Sequence, residues 1–185
     1  MEKIKTQISD SCKELKNVRS LVVAAMLIAA AVVLSFFSIQ ITQYVRIGFT
    51  TVANQLSALM FGPVVGSLGA ALVDLIGYLI KPTGPFFPGF TISGLISGCI
   101  YGFMYYKKPL SIKRVFIAEA IVAIVVNLCL NTYWLSLLYG DAYMVLFPTR
   151  IVKQMIMVPV DTAVFYLVAE ALSKAHLIIG GKAKA

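Results

Sequence analysis

The feature that most constrains this chain is a succession of apolar runs. Most are of the length, about 17–25 residues, needed to cross roughly 30 Å of hydrocarbon as a helix. They lie near Arg19–Ser38, Phe49–Phe61, Val64–Ile80, Phe90–Tyr106, Val115–Leu138 and Ala142–Ala171, the second being short. Apolar side chains make up 59% of the sequence and charged ones 13%, about half the charged share of a soluble domain, which is roughly 25%. Backbone polar groups in lipid must be satisfied inside the chain, so the runs are predicted to be helices. The strict alternation of barrel strands is absent. The expectation is an all-α membrane protein, a bundle of six transmembrane helices.

The formal charge of +8 suggests nucleic acid until its distribution is read. Lys3, Lys5, Lys13, Lys16 and Arg19 precede the first run; Lys107, Lys108, Lys113 and Arg114 share one interior loop; Lys174, Lys182 and Lys184 close the chain. Six spans put all three clusters on one side. The excess of basic residues in cytoplasmic loops makes that side the cytoplasm, with both termini there. Three regions are expected: a polar, amphipathic cytoplasmic segment at 1–18, a six-helix transmembrane domain at 19–175, and a cytoplasmic tail at 176–185. Leu21–Phe37 is long for the apolar core of a signal peptide, so a retained first helix is expected in the membrane of a prokaryotic cell. Cys12, Cys99 and Cys129 have no paired spacing and read as small packing residues, with no metal or disulfide.

Small residues recur four apart, on one helix face. Gly62 and Gly66, then Gly94, Gly98 and Gly102, predict close helix–helix packing. Ala25 and Ala29 either pack internally or dock onto another membrane protein. Gly62-Pro63 should break the chain tightly, and Pro159 should kink the last helix.

Polar residues inside the runs carry more information. Thr50, Thr51, Asn54, Gln55 and Ser57 make the second run too polar to face lipid all round. Asp74, Tyr78 and Lys81 form one stripe, Asn127, Asn131 and Trp134 a second, and Arg150, Gln154 and Asp161, with Lys153 close by, a third. A charge placed mid-bilayer costs about 2.5–3.5 kcal/mol, so three such stripes must either converge on a cavity or pair with one another. Arg46, Lys81, Arg150 and Lys153 all fall toward the outside, opposed there by Asp141 and Asp74. That surplus favours an anion. Phe49, Phe86, Phe87, Tyr133 and Trp134 offer faces for a flat ring. Asn131, Gln154 and an aspartate offer hydrogen bonds to a heterocycle edge. The composite ligand is a planar heterocycle with an anionic tail. No phosphate-binding Gly-Lys-Ser/Thr loop, nucleophile elbow or paired-ligand metal motif is present. His176, the one histidine, lies in the tail.

The six-span layout with a short second helix resembles the substrate-binding S-components of energy-coupling factor (ECF) vitamin transporters. The Ala25–Ala29 motif, the Gly62-Pro63-Val-Val-Gly66 junction and the Pro82–Phe90 loop carry the likeness. That loop, with Pro85 and Phe86, Leu130–Leu135 and Arg150–Gln154 are most similar to the folate-specific members. The resemblance implies a non-enzymatic subunit, without cofactor or metal, that captures folate at the outer face with high affinity. It implies Ala25 and Ala29 docking on a transmembrane coupling subunit that associates with two cytoplasmic ATPases. Hydrolysis there would topple the whole subunit in the bilayer and release folate inside. On that reading Asn131, Trp134 and Asp74 or Asp161 meet the pterin, while Arg46, Lys81 or Arg150 meet the glutamate tail. Another anionic ring vitamin, riboflavin or pantothenate, is the alternative substrate.

Overall fold

The computed structural model describes residues 2–42, 45–80, 82, 86–140 and 143–174. An amphipathic helix α1 (Glu2–Glu14) leads into α2 (Val18–Phe36), whose first turn is capped by the Asn17 side chain accepting from Arg19 N. A short hairpin follows, β1 (Ile39–Thr42) antiparallel to β2 (Val45–Ile47), with Gln40 opposite Arg46. Then come α3 (Thr50–Ile80), α4 (Pro88–Tyr105), α5 (Ile112–Val122), a π-helical stretch (Ala123–Leu130), α6 (Asn131–Tyr139) and α7 (Tyr143–Lys174).

α3 is two helices joined at a break. Gly62 has φ 88° and ψ −171°, a conformation open essentially to glycine alone. Pro63 then starts the second half, where its missing N–H leaves nothing unsatisfied. Ser11 of α1 completes the junction: its hydroxyl donates to Phe61 O at 2.7 Å and accepts from Val64 N and Val65 N at 3.1 and 3.3 Å. A side chain from a distant helix thus caps the second half of α3.

With both halves of α3 counted, and α5 through α6 as one rod, six helical segments build the bundle. Helices α2, α3, the α5–α6 rod and α7 are long and apolar enough to cross a membrane. α4, rich in glycine and serine, packs most extensively against α3. The main core gathers Val52 and Leu56 of α3, Tyr101 and Tyr105 of α4, Val115 and Ala118 of α5, and Phe165 and Ala169 of α7.

Residues 39–47 pair with one another as the hairpin, the one strand pair among the described residues. All three cysteines are free, but Cys12 and Cys129 are exposed rather than packed, because each falls on the outer side of its helix. α7 runs through Pro159 within one continuous helix.

Candidate functional site

The described residues of the three polar stripes, Trp134 apart, face one space. A cavity of about 480 Å³ is enclosed by α3, α4, the α5–α6 rod and α7, with the end of α2 at its edge. That volume lies within the range of small-molecule sites, about 300–1,000 Å³. Asp74, Tyr78 and Phe86 line it from one side, Asn127 and Asn131 from a second, and Arg150, Lys153, Gln154 and Asp161 from a third. Thr50, Thr51 and Asn54 of the short polar helix also face it, while Gln55 and Ser57 are buried beside them. Among the described residues, Lys153 and Asp161 are not within salt-bridge distance of each other, nor are Arg150 and Asp161.

The cavity has two chemically different ends. α4 fixes the sense of direction, since its last turn lies near the α1 side of the bundle, where Gln7 Nε2 donates to Tyr106 O. At its first turn Thr91 Oγ1 donates to Asp74 Oδ2 at 2.7 Å. Ten residues on, about 15 Å along the axis, Tyr101 Oη donates to Glu119 Oε2 at 2.9 Å. Gln55 Nε2 donates to the other Glu119 oxygen. α7 shows the same polarity, with Arg150 and Lys153 eleven and eight residues before Asp161. The cations therefore sit toward one end and Glu119 and Asp161 toward the other.

The π-helical stretch shapes the cation end. Within it the Asn127 carbonyl accepts from Arg150 Nη1 at 2.9 Å and Thr132 Oγ1 at 3.2 Å. Single π turns of this kind are commonly found at functional sites. Asn131 Nδ2 donates to Asn127 Oδ1 at 3.1 Å, while Asn131 Oδ1 is buried without a hydrogen-bond partner among the described residues, as is Asp161 Oδ1. Such orphaned acceptors beside a cavity suit a ligand carrying N–H donors.

Trp134 stands behind the wall rather than on it. Its Nε1 donates to Ser93 Oγ at 3.2 Å and its ring packs 5.5 Å from Phe87, which faces the cavity. Gly89 permits this contact, since a Cβ there would come within 2.5 Å of both rings. Phe49 is 44% exposed and lies outside the cavity lining. Lys81 and Pro85 lie outside the described residues, as do Asp141, His176 and the side chain of Arg46. Ala25 and Ala29 are exposed on α2, with Ala24 and Ala31 turned inward.

Among the described residues two cations, Arg150 and Lys153, share the cavity with three carboxylates, Asp74, Glu119 and Asp161. The outer cationic surplus expected from sequence also counted Arg46 and Lys81, whose side chains lie outside the described residues; Glu119, at the other end of the cavity, was not part of that reading. The signal was available: Glu119 is the lone acidic residue of its apolar run, and an isolated charge in such a run turns inward. Tyr101 and Ser93 were also missed, hidden in the small-residue pattern of α4.

Residues 19–169 match the family described as ECF transporter, substrate-specific component. The chain is 42% identical over 153 residues to the folate transporter FolT of Clostridium novyi (strain NT), covering 82% of this chain and 88% of that one. It is 34% identical over 156 residues to FolT of Leuconostoc mesenteroides, covering 81% and 84%. A crystal structure of FolT bound with folic acid superposes with a TM-score of 0.78 at 34% identity, over 84% of this chain and 95% of that chain. Six helical segments around a polar cavity, matched by this family over most of their length, place the chain among the substrate-specific components of ECF transporters, the family to which it belongs.

Proposed function

We propose that the cavity binds folate with high affinity from outside a bacterial plasma membrane and that the protein delivers it inward as part of an ECF importer. The observation that carries this reading is the two-ended cavity. Folate is a flat pterin with N–H donors at one end and a glutamate dicarboxylate at the other. Arg150 and Lys153 match the tail, while at the other end Asp161 Oδ1, a buried acceptor without a partner among the described residues, matches the pterin edge. Phe86 and Phe87 give the ring apolar faces, with Trp134 backing Phe87. The likeness to FolT chains supports the same substrate.

The protein is a substrate-binding transport subunit and not an enzyme. Its energy comes, on this reading, from two cytoplasmic ATPases reached through a transmembrane coupling subunit. The exposed Ala25/Ala29 face of α2 is the docking surface, because small residues let a partner helix approach closely in lipid. Both termini face the cytoplasm, and the whole subunit topples to release its cargo. Gln154 lies between the cation and carboxylate groups of α7 and serves the linker of the ligand; Arg46, Lys81 and Pro85, outside what the structure describes, keep the substrate-binding role that the resemblance implies.

Competition binding on purified protein tests the substrate. Folic acid and 5-formyltetrahydrofolate should displace one another, and riboflavin and pantothenate should displace neither. Failure of both folates to bind refutes the assignment. Uptake of labelled folate by cells with and without the coupling and ATPase subunits tests the mechanism; equal uptake would mean an autonomous carrier.

A further inference from the structure

Helix α1 is fastened to the bundle along one side. Ser11, fully buried, clasps the Gly62-Pro63 junction, Gln7 Nε2 donates to Tyr106 O at 3.1 Å, and Asp10 pairs with Lys107 at 2.6 Å. At 3.6 residues per turn the neighbouring flank carries Ile4, Ile8 and Cys12, with Leu15 in the turn that follows. This flank has no cover. Ile4 is 52% exposed, Ile8 39% and Leu15 36%, and Cys12 is exposed.

What covers it follows from its position. α2 begins at Val18, three residues after Leu15, and its first turns expose Val18, Leu21 and Val22, side chains that belong against lipid in a membrane span. The bilayer surface therefore lies within a few residues of the end of α1. Lys5, Lys16 and Arg19 are exposed around the flank, and basic groups beside an apolar strip are the mark of a helix lying in an anionic interface. A single row of aliphatic side chains is also far too narrow for a stable protein interface, which buries about 800 Å² per partner.

We propose that α1 is a lipid-docking helix. Its Ile4–Ile8–Cys12–Leu15 flank sinks into the headgroup boundary of an anionic leaflet, and Lys5, Lys16 and Arg19 meet the lipid phosphates. Because Ser11 bolts the same helix to the α3 break, the leaflet grips the bundle at the junction from which the cavity-lining second half of α3 departs.

Native Cys12 makes the test direct. Full-length protein carrying Cys99→Ala and Cys129→Ala is labelled at Cys12 with an environment-sensitive fluorophore and placed in nanodiscs of equimolar phosphatidylcholine and phosphatidylglycerol. The control carries Cys12→Ser and Lys13→Cys, which puts the label on the solvent side, where Lys13 is 74% exposed. Lipid-borne nitroxide should quench the label at position 12 roughly twofold more than at position 13, and aqueous iodide should do the reverse. Ile8→Glu, at an exposed position, should remove the difference without lowering the melting temperature. Equal quenching at the two positions, or iodide reaching position 12 as freely as position 13, overturns the proposal and leaves the flank to a protein partner.

Discussion

The two faces of α4 solve opposite problems with the same backbone. Toward α3, glycines let the helices touch main chain to main chain: a Cβ on Gly98 would come within 2.7 Å of Ser67 Cα, and one on Gly102 within 2.9 Å of the Gly62 carbonyl carbon. Toward the α5–α6 rod and α7, Ser93 and Tyr101 engage Trp134 and Glu119, and the helices stand apart around a cavity. Lipid supplies no hydrophobic force to press helices together, so close packing and hydrogen bonds decide which contacts form. Removing side chains makes the closed seam; large polar side chains, propped against one another, hold the open side apart.

The largest effect should come from closing the distinction at the seam. Gly98→Leu has no flexible neighbour to displace, only backbone, and should destabilise the fold by about 3 kcal/mol or more, at or beyond the upper end for overpacking. Thermal unfolding in detergent measures it, and an unchanged melting temperature would mean the seam is looser than drawn. The contrasting case is the same small-residue spacing turned outward. Ala25→Trp or Ala29→Trp should leave melting and folate binding intact yet abolish uptake by the assembled importer; lost binding with uptake spared would misplace the docking face.

On the open side, Arg150→Ala should weaken folate binding by about 1.5–3 kcal/mol if the guanidinium holds a carboxylate. That is roughly a ten- to hundredfold rise in Kd, read by titration calorimetry, and an unaltered Kd removes Arg150 from the site. The smallest effect lies outside the membrane. The Lys107 ammonium beside Asp10 holds that carboxyl below its ordinary value of 3.8, and Asp10 in turn raises Lys107. The pair's contribution is complete above that value and fades as pH falls through the lowered one. Trypsin cleavage is unsuited to such acid, so pepsin accessibility of α1 should rise there slightly more in wild type than in Asp10→Asn, which has already lost the pair.

Much of this architecture was legible in the residues. Apolar length located the spans, Gly62-Pro63 located the break, and the spacing of Asp74, Tyr78, Asn127, Asn131, Arg150, Gln154 and Asp161 identified faces that the fold brings to one cavity. Sequence reasoning failed where identity does not imply direction. Trp134 read as a stacking face, but its indole N–H found Ser93 and the ring turned behind Phe87. Glu119 was passed over because it lies close to the basic loop, where a solvated carboxylate would be unremarked; its burial depends on Gln55 and Tyr101, 64 and 18 residues away in the chain.

The order of residues alone determined that this protein lives in lipid, how many helical segments it has, and which faces could not be left to hydrocarbon, because insertion energetics act on each segment by itself. Only the tertiary structure decided the rest: the Ser11 clasp on α3, the bond from Arg150 to the Asn127 carbonyl, and the separation of cations from Glu119 and Asp161 along one cavity. Those features depend on contacts between helices remote in sequence, and pairwise distance is information that periodicity within one helix does not contain.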